Sequence, residues 1–396
     1  MQQSCHTTAA ALALNSIVCV VRCLPGRATL WLVSSMCGGP YSTQWVHGGL
    51  PGFVRSVQLE QPTLRCHWMD LEDCQFDVDM LLPDMPLECA IRDNNLLSPM
   101  LCALPPSTLP SIQSCCFSKN GSYVVSGGTG ALGLFFANWM QQRGAGELVL
   151  LSRSGKMTSG CEYQCKEPSV IACDVSKQPS VVDTVAQVTA QMLPLDGVVH
   201  AAGIELYARL SDVTSSQIDQ VLAPKVDGTC NLANETANLS LESFVVFSST
   251  SAVFGLAGGA VYAAANSCLD AWVQHRHAAG QCGISYQWGA WTEIGMAAGL
   301  PNSGFVAGGV TNTIGQWAIE AVIGSGSSMI ADMSWHQFLT LYERVPDYLS
   351  AFLNHLHQVS SDTDTEFVQA LTISIGDSTA QRAALESMVL SQVHEA

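Results

Sequence analysis

From residue 122 to 288 the chain repeats one pattern: a short apolar run, a polar or glycine-rich break, then a longer stretch with apolar residues three and four apart. The short runs are 123–126, 147–151, 169–172, 197–200, 244–247 and 284–288. They are rich in aliphatic, β-branched or aromatic residues and too short for helices, so they read as buried strands. The longer stretches, 134–142, 180–192, 214–239 and 260–279, read as helices, and Pro224 is expected to kink the third. Strands alternating with helices through right-handed crossovers predict a doubly wound parallel sheet, an α/β fold. Ligands in such sheets sit beyond the carboxyl ends of the strands, where Ser152, Asp174, Ala201 and Ser249 all fall.

Residues 1–102 alternate in the same way, with a helix over 9–21, strands over 29–34, 64–70 and 89–92, and a helix over 52–59. No glycine fingerprint follows any of these strands, so this half reads as structural. The boundary is expected in 103–120, which holds Pro105, Pro106 and Pro110 among serines.

The second half begins differently. Gly127, Gly128, Thr129, Gly130, Ala131, Leu132 and Gly133 separate the first strand from the first helix. Gly128, Gly130 and Gly133 fit G-x-G-x-x-G in the context that gives it meaning, strand before and helix after. A dinucleotide's pyrophosphate needs bare backbone at a helix N-terminus, where free N–H groups and the helix dipole favour anions. The next strand ends in Ser152-Arg153-Ser154. An NAD site places an acid near here for the ribose 2′-hydroxyl; an arginine suits the 2′-phosphate of NADP.

Composition narrows the partners. A formal charge of −17 argues against nucleic acid, whose phosphates call for a surplus of Lys and Arg. The sixteen cysteines include no C-x-x-C pair and no zinc spacing, so they read as buried free thiols in a reducing, cytoplasmic compartment, with no metal. The apolar run 9–21 lacks a basic flank ahead of it and reads as a core helix; no run reaches a membrane span.

The candidate chemistry lies late in the chain. Tyr262 and Asn266 are four apart and share a helix face. Ser249 ends the preceding strand, and the turn containing Gly255, Gly258 and Gly259 lets the helix fold back over it. A phenol, a hydroxyl and a carboxamide beside a nicotinamide are the set needed to reduce a ketone. Tyrosine, with an ordinary pKa of about 10, is a sluggish acid unless an ammonium supports its phenolate.

These residues resemble the short-chain dehydrogenase/reductases, with Asn266 in place of the lysine of their Tyr-x-x-x-Lys. That exchange marks the ketoreductase domains of modular type I polyketide synthases, which the chain resembles closely over about residues 9–350. Their lysine lies in a stretch matched by Pro224-Lys225-Val226-Asp227-Gly228. Further matches are Leu151-Ser152-Arg153-Ser154-Gly155, Cys173-Asp174-Val175, His200-Ala201-Ala202-Gly203, Phe247-Ser248-Ser249, Tyr262-Ala263-Ala264-Ala265-Asn266 and Trp288-Gly289-Ala290-Trp291. The resemblance implies a truncated Rossmann-like structural subdomain over 1–102 and a Rossmann-type catalytic subdomain over 121–350. It implies NADPH-dependent reduction of a β-ketoacyl chain carried by phosphopantetheine on an acyl carrier protein, among other synthase domains. Tyr262 would be the proton donor and Ser249 would hold the carbonyl. Lys225 would support the tyrosine and the nicotinamide ribose, and Asn266 would position lysine and water. Arg153 would clasp the 2′-phosphate, Asp174 and Val175 would flank the adenine, and Ala201, Ala202 and Gly203 would line the nicotinamide side. The Gly- and Ala-rich segment 295–314 corresponds to a mobile lid.

The chain also departs from the family. The segment between Gly155 and Ser169 is shorter by about two helical turns. Of the two stereochemical marks, Leu-Asp-Asp is replaced by Glu205-Leu206-Tyr207 and the tryptophan before the tyrosine by Phe254, which leaves product configuration open. The chain also begins inside the structural half. Segment 379–393, within the expected tail 351–396, fits both a solvent-facing helix and the opening helix of a carrier domain. Two other functions stay open, a redox-silent structural domain and an epimerase. His275 and His277 read as helix-end charges, His200 as satisfied by backbone, and Trp317, Trp335 and Phe338 as packing.

Overall fold

The computed structural model describes residues 5–25, 28–36, 45–72, 85–102, 117–157, 167–296, 309–322, 327–340 and 345–353, with a few isolated positions besides. Its described residues fall into two compact units, one drawn from Met1–Leu97 and Cys116–Trp288, the other from Ser98–Cys115 and Gly289–Ala396.

In the first unit the strands β5 (Ser122–Ser126), β6 (Glu147–Ser152), β7 (Ser169–Ala172), β8 (Leu195–His200), β9 (Ser243–Ser249) and β10 (Ile284–Trp288) follow β1 (Thr29–Ser35), β2 (Arg65–Leu71), β3 (Glu88–Arg92) and β4 (Asn95–Leu97). Strands β5 to β10 lie in the order β10-β9-β8-β5-β6-β7, parallel throughout. The chain steps outward from β5 to β7, then crosses back to place β8 on the other flank of β5. That reversal opens the crevice in which α/β sheets bind ligands. Val124, Val149, Val198, Phe244 and Val246 are buried on the sheet, as their apolar runs predict. Strands β1 to β4 form a separate sheet, parallel except for β4, which turns back on β3 through Asp93 and Asn94, both at positive φ. Asp and Asn tolerate that backbone, and two such residues in sequence make a tight hairpin turn.

The helices are α1 (Cys5–Cys23), α2 (Leu50–Glu60), α3 (Ala131–Gln142), α4 (Gln178–Gln191), α5 (Ser215–Leu222), α6 (Gly228–Glu235), α7 (Thr250–Phe254) and α8 (Ala260–Ala278). The expected helix over 214–239 is a composite ending at Glu235. Thr214 caps α5 through a reciprocal box with Gln217, and between α5 and α6 residues Ala223–Asp227 widen into a π-turn. Pro224 has no N–H to give a helical bond, and the ladder widens there, with the Gly228 N–H reaching back to the Ala223 carbonyl.

One apolar core joins the two halves of this unit. Leu14, Val18 and Val21 of α1 are buried with Ile218, Val221 and Leu222 of α5, and Phe53 and Val57 of α2 with Val261, Tyr262 and Ala265 of α8. Each buried Val, Leu, Ile or Phe among these contributes about 1.5–3 kcal/mol. Helix α2 comes within backbone distance of α8: a Cβ on Gly52 would lie 2.5 Å from the Ala263 carbonyl oxygen. Polar ties add to the apolar ones. Arg22 donates to the carbonyls of Leu210 (2.7 Å) and Val213 (2.6 Å), and Ser267 donates to the Gly48 carbonyl at 2.7 Å.

The second unit contains α9 (Asn312–Val322), β11 (Ser327–Ile330) and α10 (Trp335–Leu339). Trp335 stacks on Phe352 with ring centroids 3.9 Å apart, and Phe338 is buried, both as packing residues. Most of segment 297–308, the shortened stretch 158–166 and the tail from 354 lie outside the described residues, and with them most of the expected lid and the terminal helix. No helix among the described residues is long and apolar enough to cross a membrane.

Candidate active site

Backbone crowding makes the glycine turn necessary. Gly127 has φ of +66°, and a Cβ there would meet the Ala202 backbone at 2.9 Å. One on Gly133 would lie 2.3 Å from the Gly127 carbonyl oxygen, so α3 is pressed onto the turn by a glycine inside it. Gly130 caps α3 without a side chain, which leaves the first-turn backbone to face an anion. Thr129 is buried and Leu132 partly exposed beside it. The turn and the end of β8 are thus neighbours, with Ala201 tied to β5 by a bond from its N–H to the Ser126 carbonyl (3.1 Å).

At the end of β6, Arg153 and Ser154 are exposed, and the Ser152 hydroxyl accepts the Gly155 N–H at 3.1 Å. Asp174 forms a tight turn, its carboxylate accepting from the Ser176 N–H (3.1 Å) and hydroxyl (2.7 Å). Val175 is different. Its side chain is buried in the core and its carbonyl accepts from Asn231 at 2.8 Å, so only Asp174 of that pair faces outward.

Tyr262, Ser249, Lys225 and Asn266 come together. The Lys225 ammonium lies 5.6 Å from the centre of the Tyr262 ring and donates to the Phe247 carbonyl at 2.9 Å. Asn266 donates to the Tyr262 carbonyl (2.9 Å) and to Ser251 (3.4 Å), while its Oδ1 is buried with no partner among the described residues. An acceptor left open against Tyr262 is where a water or substrate group would complete the pattern. Ser249 caps α7 by accepting the Ser251 N–H at 3.1 Å.

The ends of β5 and β8 position Lys225 through its backbone. The Lys225 carbonyl can only accept, so His200 Nε2 donates to it (3.3 Å) and Nδ1 accepts from the Ser126 hydroxyl (2.6 Å), which sets a neutral tautomer. Burial, with Lys225 nearby, holds the His200 pKa down to about 3. Thr229 also donates to that carbonyl, at 2.7 Å. Gly203 lies against the lysine stem: a methyl there would sit 2.8 Å from Lys225 Cε.

Burial also sets the electrostatics. It pushes the Tyr262 phenol up to about 12, helped by Glu205 and opposed by the side chains of Asn266 and Ser249. It draws the Lys225 ammonium down to about 8, against Asp270 and Glu205. Asp270 rises to about 6 through burial, although Ser285 (2.5 Å) and Gln287 (2.7 Å) donate to it. Neither acid was among the expected site residues. Asp270 was legible, since it follows Tyr262 and Asn266 at the same four-residue spacing. Glu205 carries no such signal.

The family model for the KR domain matches residues 121–293, the span that holds the glycine turn and all four converging side chains. Residues 121–293 are a polyketide-synthase ketoreductase domain. As such it is an oxidoreductase domain of the short-chain dehydrogenase/reductase type. A solved structure of A-type ketoreductases from a modular polyketide synthase superposes with a TM-score of 0.76 at 27% identity, covering 87% of this chain and 78% of that one. An A1-type ketoreductase gives a TM-score of 0.75 at 27% identity, covering 87% and 79%. In sequence, polyketide synthase GfsB of Streptomyces halstedii is 38% identical over 242 residues, 58% of this chain and 4% of that protein. A mycocerosic acid synthase-like polyketide synthase of Mycolicibacterium smegmatis is 34% identical over 266 residues, 63% of this chain and 12% of that protein. The chain therefore spans a small fraction of these relatives.

Proposed function

We propose that the ketoreductase domain uses NADPH to reduce the β-keto group of an acyl thioester carried by phosphopantetheine on an acyl carrier protein. The observation that carries this reading is the convergence of Tyr262, Ser249, Lys225 and Asn266 next to a glycine turn with no room for a Cβ. The residues fit the cofactor: Gly127, Gly128, Gly130 and Gly133 for the pyrophosphate, Arg153 for the 2′-phosphate, Asp174 beside the adenine, and Ala201, Ala202 and Gly203 with Lys225 at the nicotinamide riboside. NADPH held there supplies the hydride. Ser249 donates to the ketone oxygen and orients it toward Tyr262. As the carbonyl carbon is reduced, the electron pair of its π bond moves to oxygen, and Tyr262 gives that oxygen its proton. A phenol held near 12 stays protonated at working pH and gives up its proton only to a strong base such as a forming alkoxide. The Lys225 ammonium then stabilises the phenolate, and water at the open Asn266 Oδ1 is placed to return the proton. Other domains of a synthase would deliver the substrate and take the product.

The test is nicotinamide absorbance with NADPH and with NADH over a short β-ketoacyl thioester. Consumption with a β-hydroxyacyl product is expected. Arg153→Ala should erase at least about a tenfold preference for NADPH, since each charge-assisted bond to the phosphate contributes roughly 1.5–3 kcal/mol. An unaltered preference would place the phosphate elsewhere.

A further inference from the structure

Two backbone segments flank Tyr262. Residues 255–259 lead directly into α8, and residues 204–210 run on from Gly203, which touches Lys225, past Tyr262, whose phenol feels the charge of Glu205. The segments are joined once directly, by the Ala208 N–H to the Gly258 carbonyl at 2.8 Å. They are joined a second time through a residue of the structural half. The last residue of α2, Glu60, accepts the Gly258 N–H on Oε1 (2.8 Å) and the Leu210 N–H on Oε2 (2.9 Å). Neighbours on α2 grip the same region: Ser56 accepts the Leu256 N–H at 3.0 Å, and Arg55, paired with Glu88, donates to the Ala252 carbonyl at 2.6 Å. A Cβ on Gly255 would lie 2.5 Å from the Arg55 backbone, so the segment is seated directly on the helix.

We infer that Glu60 is a positioning residue that sets substrate orientation by fixing the spacing of the two segments flanking Tyr262. This rests on the proposed reduction. With the ketone oxygen held at Tyr262, the acyl chain can lie in either of two opposed directions, and these give opposite hydroxyl configurations. A carboxylate that holds both walls by charge-assisted bonds limits that choice. Glu60 touches neither substrate nor cofactor and acts through the Gly258 and Leu210 backbone.

The test compares the wild-type chain with Glu60→Gln, which keeps the shape but can accept from only one of the two N–H groups, and with Gln58→Ala. Gln58, on the same helix, donates to the Cys66 carbonyl at 2.8 Å, away from both segments. For Glu60→Gln the minor enantiomer of the β-hydroxy product should rise roughly tenfold, the loss of one charge-assisted bond. KM should rise more than kcat falls, with NADPH affinity by calorimetry unchanged, and Gln58→Ala should keep the wild-type ratio. The amide of Leu210 or Gly258 should exchange with solvent at least about tenfold faster in Glu60→Gln. An unaltered enantiomer ratio, or an equal shift in Gln58→Ala, overturns the inference. If the wild-type chain reduced no ketone, the reaction reading would fall, and amide exchange alone would decide: faster exchange supports the Glu60 tie and equal exchange overturns it.

Discussion

Gly203 offers a way to move Lys225, the proposed partner of Tyr262, without substituting it. An alanine methyl there would lie 2.8 Å from Lys225 Cε and 3.2 Å from Nζ. Non-bonded carbons settle at about 3.5–4.0 Å, so the lysine stem must back away by roughly 0.7–1.2 Å. The retreat pulls Nζ off the Phe247 carbonyl and changes its approach to the Tyr262 ring. A misplacement of about 1 Å at a catalytic group costs on the order of 10²-fold in rate, or ~2.7 kcal/mol of barrier. Gly203 is not among the positive-φ glycines, and the atoms it meets are the far end of a flexible side chain, so the fold should tolerate the methyl. Gly203→Ala is therefore expected to lose about two orders of magnitude in kcat while its thermal midpoint stays close to wild type. The assay is steady-state NADPH consumption over a β-ketoacyl thioester, beside thermal unfolding of the same preparation. A variant turning over as fast as wild type would mean that Lys225 does not act from this position.

Tyr262→Phe should lose on the order of 10²–10⁴ in turnover with cofactor binding nearly intact, and full turnover would remove Tyr262 as the acid. The pH–rate profile follows from Lys225. Its ammonium is present below a pKa of about 8 and lost above it, whereas Tyr262, near 12, stays protonated throughout. Turnover should thus hold on the acid side of 8 and fall on the alkaline side; a rate still climbing there would contradict the assignment. Gly52→Val would drive a branched side chain into the Ala263 backbone and should cost at least about 1–3 kcal/mol in chemical denaturation. A variant as stable as wild type would show that α2 and α8 are not packed at that distance.

Strands β5, β6, β8 and β9 of the large sheet were legible because each is a short Val-, Leu- or Phe-rich run that is largely buried, and the pattern leaves little choice of register; β7 at the sheet edge is partly exposed. The glycine turn and the Tyr262–Asn266 pair were legible because their spacing has a mechanical cause. The π-turn was not. Pro224 announces a disturbance in a helix but not its form, and here the form places the Lys225 carbonyl against His200 and Thr229. The short elements β4 and α7 carry too few residues to show a period, although Asp93-Asn94 is a readable turn signal. Val175, expected with Asp174 beside the adenine, has its side chain in the core, where the backbone of Gly228 lies against it. The ties of α2 to the segments around Tyr262 join residues about 150 to 200 apart in sequence. No local pattern announces such a contact. The Gly48-Gly49-x-x-Gly52 spacing, which lets α2 approach α8, was the one trace of it.

The proposed reaction of this domain is hydride transfer to a β-ketone. NADPH carrying deuterium at the transferable position, incubated with a short β-ketoacyl thioester, tests it directly. The expected β-hydroxyacyl product is one mass unit heavier, with the deuterium at the carbinol carbon. No reduced product, with deuterium from heavy water instead entering an α-substituted substrate, would contradict it and assign the domain to epimerisation.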